Sequence, residues 1–120
     1  MLIFLSFPSA GAVLNNAIRP TVLAHIAKLH EQHPEHTFLV PMVQGYAFVP
    51  YMAENTPVTW EVWQHYCRDM IDVCKEVWVL MYEGWSERTC SQSPRNTSAG
   101  VHGEIQRALF KSIPVKFIEP

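Results

Sequence analysis

Glu104 is the carboxylate whose surroundings most suggest chemistry. It follows Gly100 and Gly103 and precedes Ile105, Ala108 and Leu109, so the spacing predicts a place in the first turn of a C-terminal helix. There a carboxylate gains from the helix dipole and from free backbone N–H groups. Two readings share that position: a surface glutamate that complements the dipole, and a reactive carboxylate beyond a long Gly/Ser-containing loop that folds around a substrate. A second set of acids, Glu61, Asp69 and Asp72, falls on a middle helix, with Asp69 four residues from His65. Asp69 and Asp72 read by default as solvated polar-face residues. Paired carboxylates nevertheless suit cleavage at a sugar carbon, where one attacks or stabilises a cationic centre and the other manages a proton.

The six histidines raise a metal question. His25, His30, His33 and His36 are close in sequence, and His33-Pro-Glu-His36 contains plausible ligands. A helix ends inside that run, and no cysteine pair or HExxH arrangement accompanies it, so neither a metal nor another cofactor is expected. His102, beside Glu104, reads either as a site-lining group or as a helix-cap histidine. No GxGxxG, GxxxxGK[ST] or GxSxG pattern is present, which leaves dinucleotide, Walker-type and nucleophile-elbow chemistry unsupported. Cys67 and Cys74 are seven residues apart on one helical face, the spacing of core packing. With Cys90 they make an odd, sparse set rather than a disulfide framework, and a reducing, cytoplasmic location is expected.

These residues need elements to position them. Leu2 to Phe7 is an apolar run closed by Pro8, which predicts a buried first strand; it lacks the basic n-region of a signal segment. Pro20 suits a first helical turn, and Val22, Leu23, Ile26 and Leu29 then recur at helical spacing until Pro34. Thr37 to Val40 reads as a second strand stopped by Pro41. A helix over 60–74 carries the stripe Trp60, Trp63, Cys67, Met70, Ile71 and Cys74, capped by Thr56-Pro57 or Thr59. Val77 to Met81 is the strongest strand signal. A final helix puts Val101, Ile105, Ala108 and Leu109 on one face, and Ile113 to Ile118 closes the chain as a strand.

Strands alternating with helices predict an α/β fold, a Rossmann/flavodoxin-like three-layer sandwich with a parallel four- or five-stranded sheet. The whole chain, 1–120, is read as a single domain. Ligands of such sheets bind at the carboxyl ends of the strands, here served by loops over 7–19, 41–57 and 82–103. The 42–57 segment is rich in Gly, Pro, Tyr and Phe, and a loop that long in a small domain is usually functional.

Composition narrows the partners. A net charge of −2 offers no basic field for a nucleic-acid polymer, and no apolar run approaches the length of a membrane span. Only 17% of the residues are charged while four are Trp, so part of the surface is expected to be covered in a homo-oligomer, a dimer or larger, or in a pocket.

Several segments in order resemble the nucleoside 2-deoxyribosyltransferase-like superfamily, with its small phage-type branches and nucleotide N-glycosidases. They are Ile3-Phe-Leu-Ser-Phe-Pro8, the Trp60 to Cys74 helix running into Lys75-Glu-Val-Trp-Val-Leu80, Glu83-Gly-Trp-Ser86, and Gly100-Val-His-Gly-Glu-Ile-Gln-Arg-Ala108 followed by Ile113-Pro-Val115. The resemblance implies cleavage of a nucleoside or nucleotide N-glycosidic bond, or deoxyribosyl transfer, with Glu104 as nucleophile at the anomeric carbon. Asp69 would protonate or orient the leaving base. Ser6, Pro8 and Ser9 would approach the sugar or phosphate, Gln44 and Tyr46 would face the base, and Trp85, Ser86 and His102 would line the site. The implied partner is a small nucleoside or nucleotide. The chain departs from the family pattern in three places. The family's helix aspartate lies seven residues before a Cys-Asp or Ala-Asp pair; counted back from Cys74 that place holds Cys67, with Asp69 two residues later. The pair itself reads Cys74-Lys75, and the 86–99 segment is longer than the family's loop. A non-catalytic module that binds or sequesters a nucleotide on the same fold is the alternative.

Overall fold

A strand buried on both faces has no polar side to show, so its sequence runs apolar without alternation. Two such runs, Ile3-Phe-Leu5 and Val77-Trp-Val-Leu80, lie side by side at the centre of the sheet, each residue almost wholly shielded from solvent. The computed structural model describes residues 1–7, 19–41, 60–81 and 99–119, with side chains except at 19, 21, 60–63 and 99. Its elements in chain order are β1 (Leu2–Ser6), α1 (Arg19–Gln32), β2 (Thr37–Leu39), α2 (Trp60–Val73), β3 (Glu76–Leu80), α3 (Ala99–Phe110) and β4 (Val115–Ile118). The sheet is four-stranded with order β2-β1-β3-β4, and every pair is parallel. Parallel neighbours require crossover connections, which is why helices alternate with strands along the chain.

The two faces carry separate cores. On one, Val22, Ile26 and Leu29 of α1 pack against Ile3, Leu5, Phe38, Trp78 and Leu80. On the other, Cys67, Ile71 and Cys74 with Val101, Ile105 and Ala108 of α3 pack against Phe4, Val77 and Val79. The molecule is thus a Rossmann/flavodoxin-like three-layer α/β/α sandwich. Crossovers from β1 go to β2 over one face while the route to β3 and β4 uses the other, so the connections diverge between β1 and β3. That divergence is the usual ligand position in open parallel sheets. Among the described residues, no helix is long and apolar enough to cross a membrane.

Several boundaries differ from expectation. The last helix starts at Ala99 rather than after Gly100, because burying Val101 completely against the sheet outweighs the weak helix propensity of Gly100 and Gly103. Leu109 and Leu23, placed on apolar stripes by spacing, are instead exposed at 59% and 40%. Ile113 does not begin β4, because it closes the helix end. Its N–H donates to the Ala108 carbonyl at 2.8 Å, and the Ser112 N–H donates to the Leu109 carbonyl at 3.1 Å. This pair of bonds is a Schellman cap, with Ser112 at φ 57° in the position glycine ordinarily takes.

A non-glycine residue at that φ carries about 1–2 kcal/mol of strain. Ser112→Gly is therefore expected to raise stability by about 0.5–1 kcal/mol after the entropy of glycine is subtracted. Urea unfolding measures it, and a destabilised variant would refute the cap.

Candidate active site

The C-terminal end of β1 and the second turn of α3 meet where the connections diverge. Ser6, fully buried as the last residue of β1, pairs with Val79 in the sheet register. Its Oγ donates to Glu104 Oε1 at 3.0 Å, joining residues 98 positions apart. Glu104 is 5% exposed, which excludes the surface dipole-complementing reading. It also stands in the second turn of α3, so the predicted first-turn placement is corrected by the earlier helix start. Positions 101, 104, 105 and 108 are spaced i, i+3, i+4, i+7, and that spacing turns Glu104 inward with Val101, Ile105 and Ala108. A carboxyl group is thus embedded in an apolar stripe.

Burial decides its charge. Loss of solvation pushes the Glu104 carboxyl up to about 8, against a smaller opposing pull from the Ser6 hydroxyl. Cys67, 1% exposed on α2, feels the same environment. Desolvation, and then the negative charge of Glu104, push its thiol up to about 12. Among the described side chains, the Ser6 hydroxyl thus hydrogen-bonds Glu104, while Glu104 in turn acts on the Cys67 thiol.

Asp69 is exposed. Two residues along a helix is a rotation of about 200°, so Asp69 turns outward when Cys67 turns inward. Its charge acts on the Arg107 guanidinium instead. Asp72, expected as a solvated polar-face acid, is bound side-on by Arg107, with Nε to Oδ1 at 2.8 Å and Nη2 to Oδ2 at 2.7 Å. These hydrogen bonds hold its carboxyl below the usual range. Arg68, Gln106, Arg107 and Phe110 line an open cleft beside that pair, on the outer side of α2 and α3. The cleft includes none of Ser6, Cys67 or Glu104.

His102 is half-buried, and its Nδ1 is shielded from solvent without a hydrogen-bond partner among the described residues. Pro8, Ser9, Gln44, Tyr46, Trp85 and Ser86, as well as Cys90, lie outside the described residues. The histidines His33 and His36 come together around Glu35 at the other edge of the sheet. Cys67, expected from its seven-residue spacing with Cys74 to pack in the core, is buried as expected, and it lies within electrostatic reach of Glu104. Comparison of the chain with protein-family models, curated proteins and solved structures finds no match.

Because Glu104 keeps its proton in the folded protein up to about pH 8 and releases it near 4.5 when unfolded, its contribution has a defined sign. The stabilisation is fully present below pH 4.5 and is lost as pH rises through 8. The difference corresponds to about 5 kcal/mol, from about 1.4 kcal/mol for each pH unit between the two values. Glu104→Gln is expected to gain stability over the parent by several kcal/mol between pH 5 and pH 9, read by urea unfolding across that range. Parallel pH profiles for the two proteins would exclude a buried, neutral Glu104.

Proposed function

We propose that the chain cleaves the N-glycosidic bond of a small nucleoside or nucleotide, or transfers the deoxyribosyl group, with the Glu104 carboxylate as nucleophile. The observation that carries this reading is the buried Glu104 carboxyl bonded to Ser6 at the divergence of β1 and β3, where parallel sheets bind ligands. In the reaction the ionised Glu104 oxygen bonds to the anomeric carbon as the C–N bond breaks, and the electron pair of that bond leaves with the base. The base takes its proton from solvent water, and the glycosyl-enzyme ester is then opened by water or by a second base, which gives up a proton to solvent. Ser6 holds one carboxyl oxygen by donating to it, leaving the other for attack. The low local dielectric strengthens the attraction between the carboxylate and an oxocarbenium-like carbon.

Two consequences follow for the pH dependence. Only the ionised carboxyl attacks, so turnover rises with pH and levels off above about 8. Ser6→Ala removes the hydrogen bond that favours ionisation, so it shifts this rise to higher pH.

One observation favours a second reading, in which the site binds a nucleotide without cleaving it. Cys67 takes the inward helix position and Asp69 the outward one, so no described carboxylate joins Glu104 to protonate the leaving base.

Incubation with a panel of deoxynucleosides and deoxynucleotides, with free base followed by chromatography, separates the readings. The expected result is base release that climbs toward pH 8 and falls more than about 100-fold in Glu104→Ala, with the fold intact by circular dichroism. Base release unchanged in that variant overturns the assignment of Glu104. Calorimetric binding of a nucleotide with no base released establishes the second reading.

A further inference from the structure

Four residues between α1 and β2 form a unit that the reading of Glu104 does not use. His33-Pro-Glu-His36 is a tight turn: the His36 N–H donates to the His33 carbonyl at 3.0 Å, and Pro34 supplies the fixed φ of its first corner. The His33 N–H still donates to the Leu29 carbonyl at 2.9 Å, so the turn is welded to the end of α1. Closure brings the first and fourth side chains together, and the two imidazoles stack with centroids 5.7 Å apart and 16° between planes. Both rings stand edge-on to the buried Trp78 indole, at 5.1 and 5.8 Å. They are therefore held by packing against the sheet.

The ring nitrogens converge on one oxygen. Glu35 Oε1 lies 3.7 Å from His33 Nδ1 and 3.3 Å from His36 Nε2. The other nitrogen of His36, Nδ1, is 3.2 Å from the Met1 nitrogen, which fixes the ring with Nε2 toward Glu35. One ligand atom from each residue falls within 4.8 Å of the others. Four-coordinate zinc with bonds of about 2.0–2.1 Å sets its ligand atoms about 3.3 Å apart. The two nitrogen–oxygen separations, 3.7 and 3.3 Å, are close to that, and the 4.8 Å bound on the whole set leaves a contraction of at most about 1.5 Å for the nitrogen pair.

We propose that His33 Nδ1, the Glu35 carboxylate and His36 Nε2 bind one divalent first-row transition metal ion of the zinc type, with solvent completing its coordination. Two imidazoles and a carboxylate are a donor set suited to such ions and poorly matched to calcium or magnesium. Glu35 supplies a carboxylate, an anionic oxygen donor at neutral pH. A further carboxylate, Glu76, acts on His36 from β3, and Lys116 at 2.9 Å partly offsets it. The turn precedes β2 and faces the α1 side of the sheet, so the site is separate from Glu104, at the opposite edge. It stands or falls independently of the glycosidic reading.

An ion pair without metal is the competing account of the same geometry, and a zinc titration separates them. The probe is Zn2+ alone, added to the reduced chain without a histidine tag and followed calorimetrically. The expected result is one ion per chain, with affinity lowered at least about tenfold in Glu35→Gln and in the doubly substituted His33→Ala, His36→Ala protein. In the unsubstituted chain the ring-proton resonances of His33 and His36 should shift on adding Zn2+, ahead of those of His25, His30, His65 and His102. That measurement holds even where a variant folds poorly. Absence of binding, affinity lowered less than tenfold in the double variant, or shifts confined to other histidines overturns the proposal.

Discussion

A carboxyl group buried with no cation beside it among the described residues is driven toward its neutral form, and that constraint organises what is described of the carboxyl edge of this sheet. Glu104 sits among Val101, Ile105 and Ala108, and the Ser6 hydroxyl is too weak a partner to restore the ordinary carboxyl titration. The Cys67 thiol beside it is suppressed by the same dry surroundings and by any negative charge on Glu104. Among the described residues there, Glu104 and Cys67 are thus both held toward their neutral forms. The low dielectric that disfavours the resting carboxylate would also strengthen its pull on a positively charged centre. Under the proposed chemistry a developing sugar cation would be the charge that justifies ionisation. The burial that makes Glu104 a poor surface residue is what would make it an effective nucleophile.

Placing that carboxyl requires α2 and α3 to keep one relative register. The bidentate Asp72–Arg107 pair links them at one position, one turn along α3 from Glu104 and just over one turn along α2 from Cys67. The pair is three-quarters shielded on both sides, so its energy is not lost wholly to solvent screening. The acids of α2 thus divide by helical angle: Asp72 clamps α3, and Asp69 stays outside with its field on the same guanidinium. Cys67 alone of these three reaches the interior beside Glu104. The arrangement explains why three polar positions within six residues have three different roles.

Much of this was legible in the sequence. The central strands announced themselves because burial on both faces forbids polar alternation. The first helix was bracketed by Pro20 and Pro34, which act through the backbone and do not depend on tertiary context. Its polar turn, His33 to His36, could be seen as ligand-bearing but not as closed, because the packing that orients both rings comes from Trp78, remote in sequence. The start of α3 was obscured by Gly100 and Gly103, whose local preference is overruled by the packing of Val101. The burial of Glu104 was readable only by trusting periodicity over residue type, since charged residues are ordinarily outside. The 101, 104, 105, 108 spacing pointed inward, and the carboxylate followed it.

The same physics explains why both sets of unusual residues are at the edges of the sheet. Along β1 and β3 the interior positions are apolar from Ile3 to Leu5 and from Val77 to Leu80, with both faces packed, so no polar group can be accommodated there. Polar chemistry is confined to places where a strand ends and its neighbour's face is no longer complete. At the carboxyl edge the helix stripe of α3 continues over that end and encloses Glu104. At the amino edge the chain turns tightly at Pro34, and His33, Glu35 and His36 remain partly solvated. Among the described residues the length of the strands thus separates a buried acid at one end of the sheet, Glu104, from the partly solvated donors His33, Glu35 and His36 at the other.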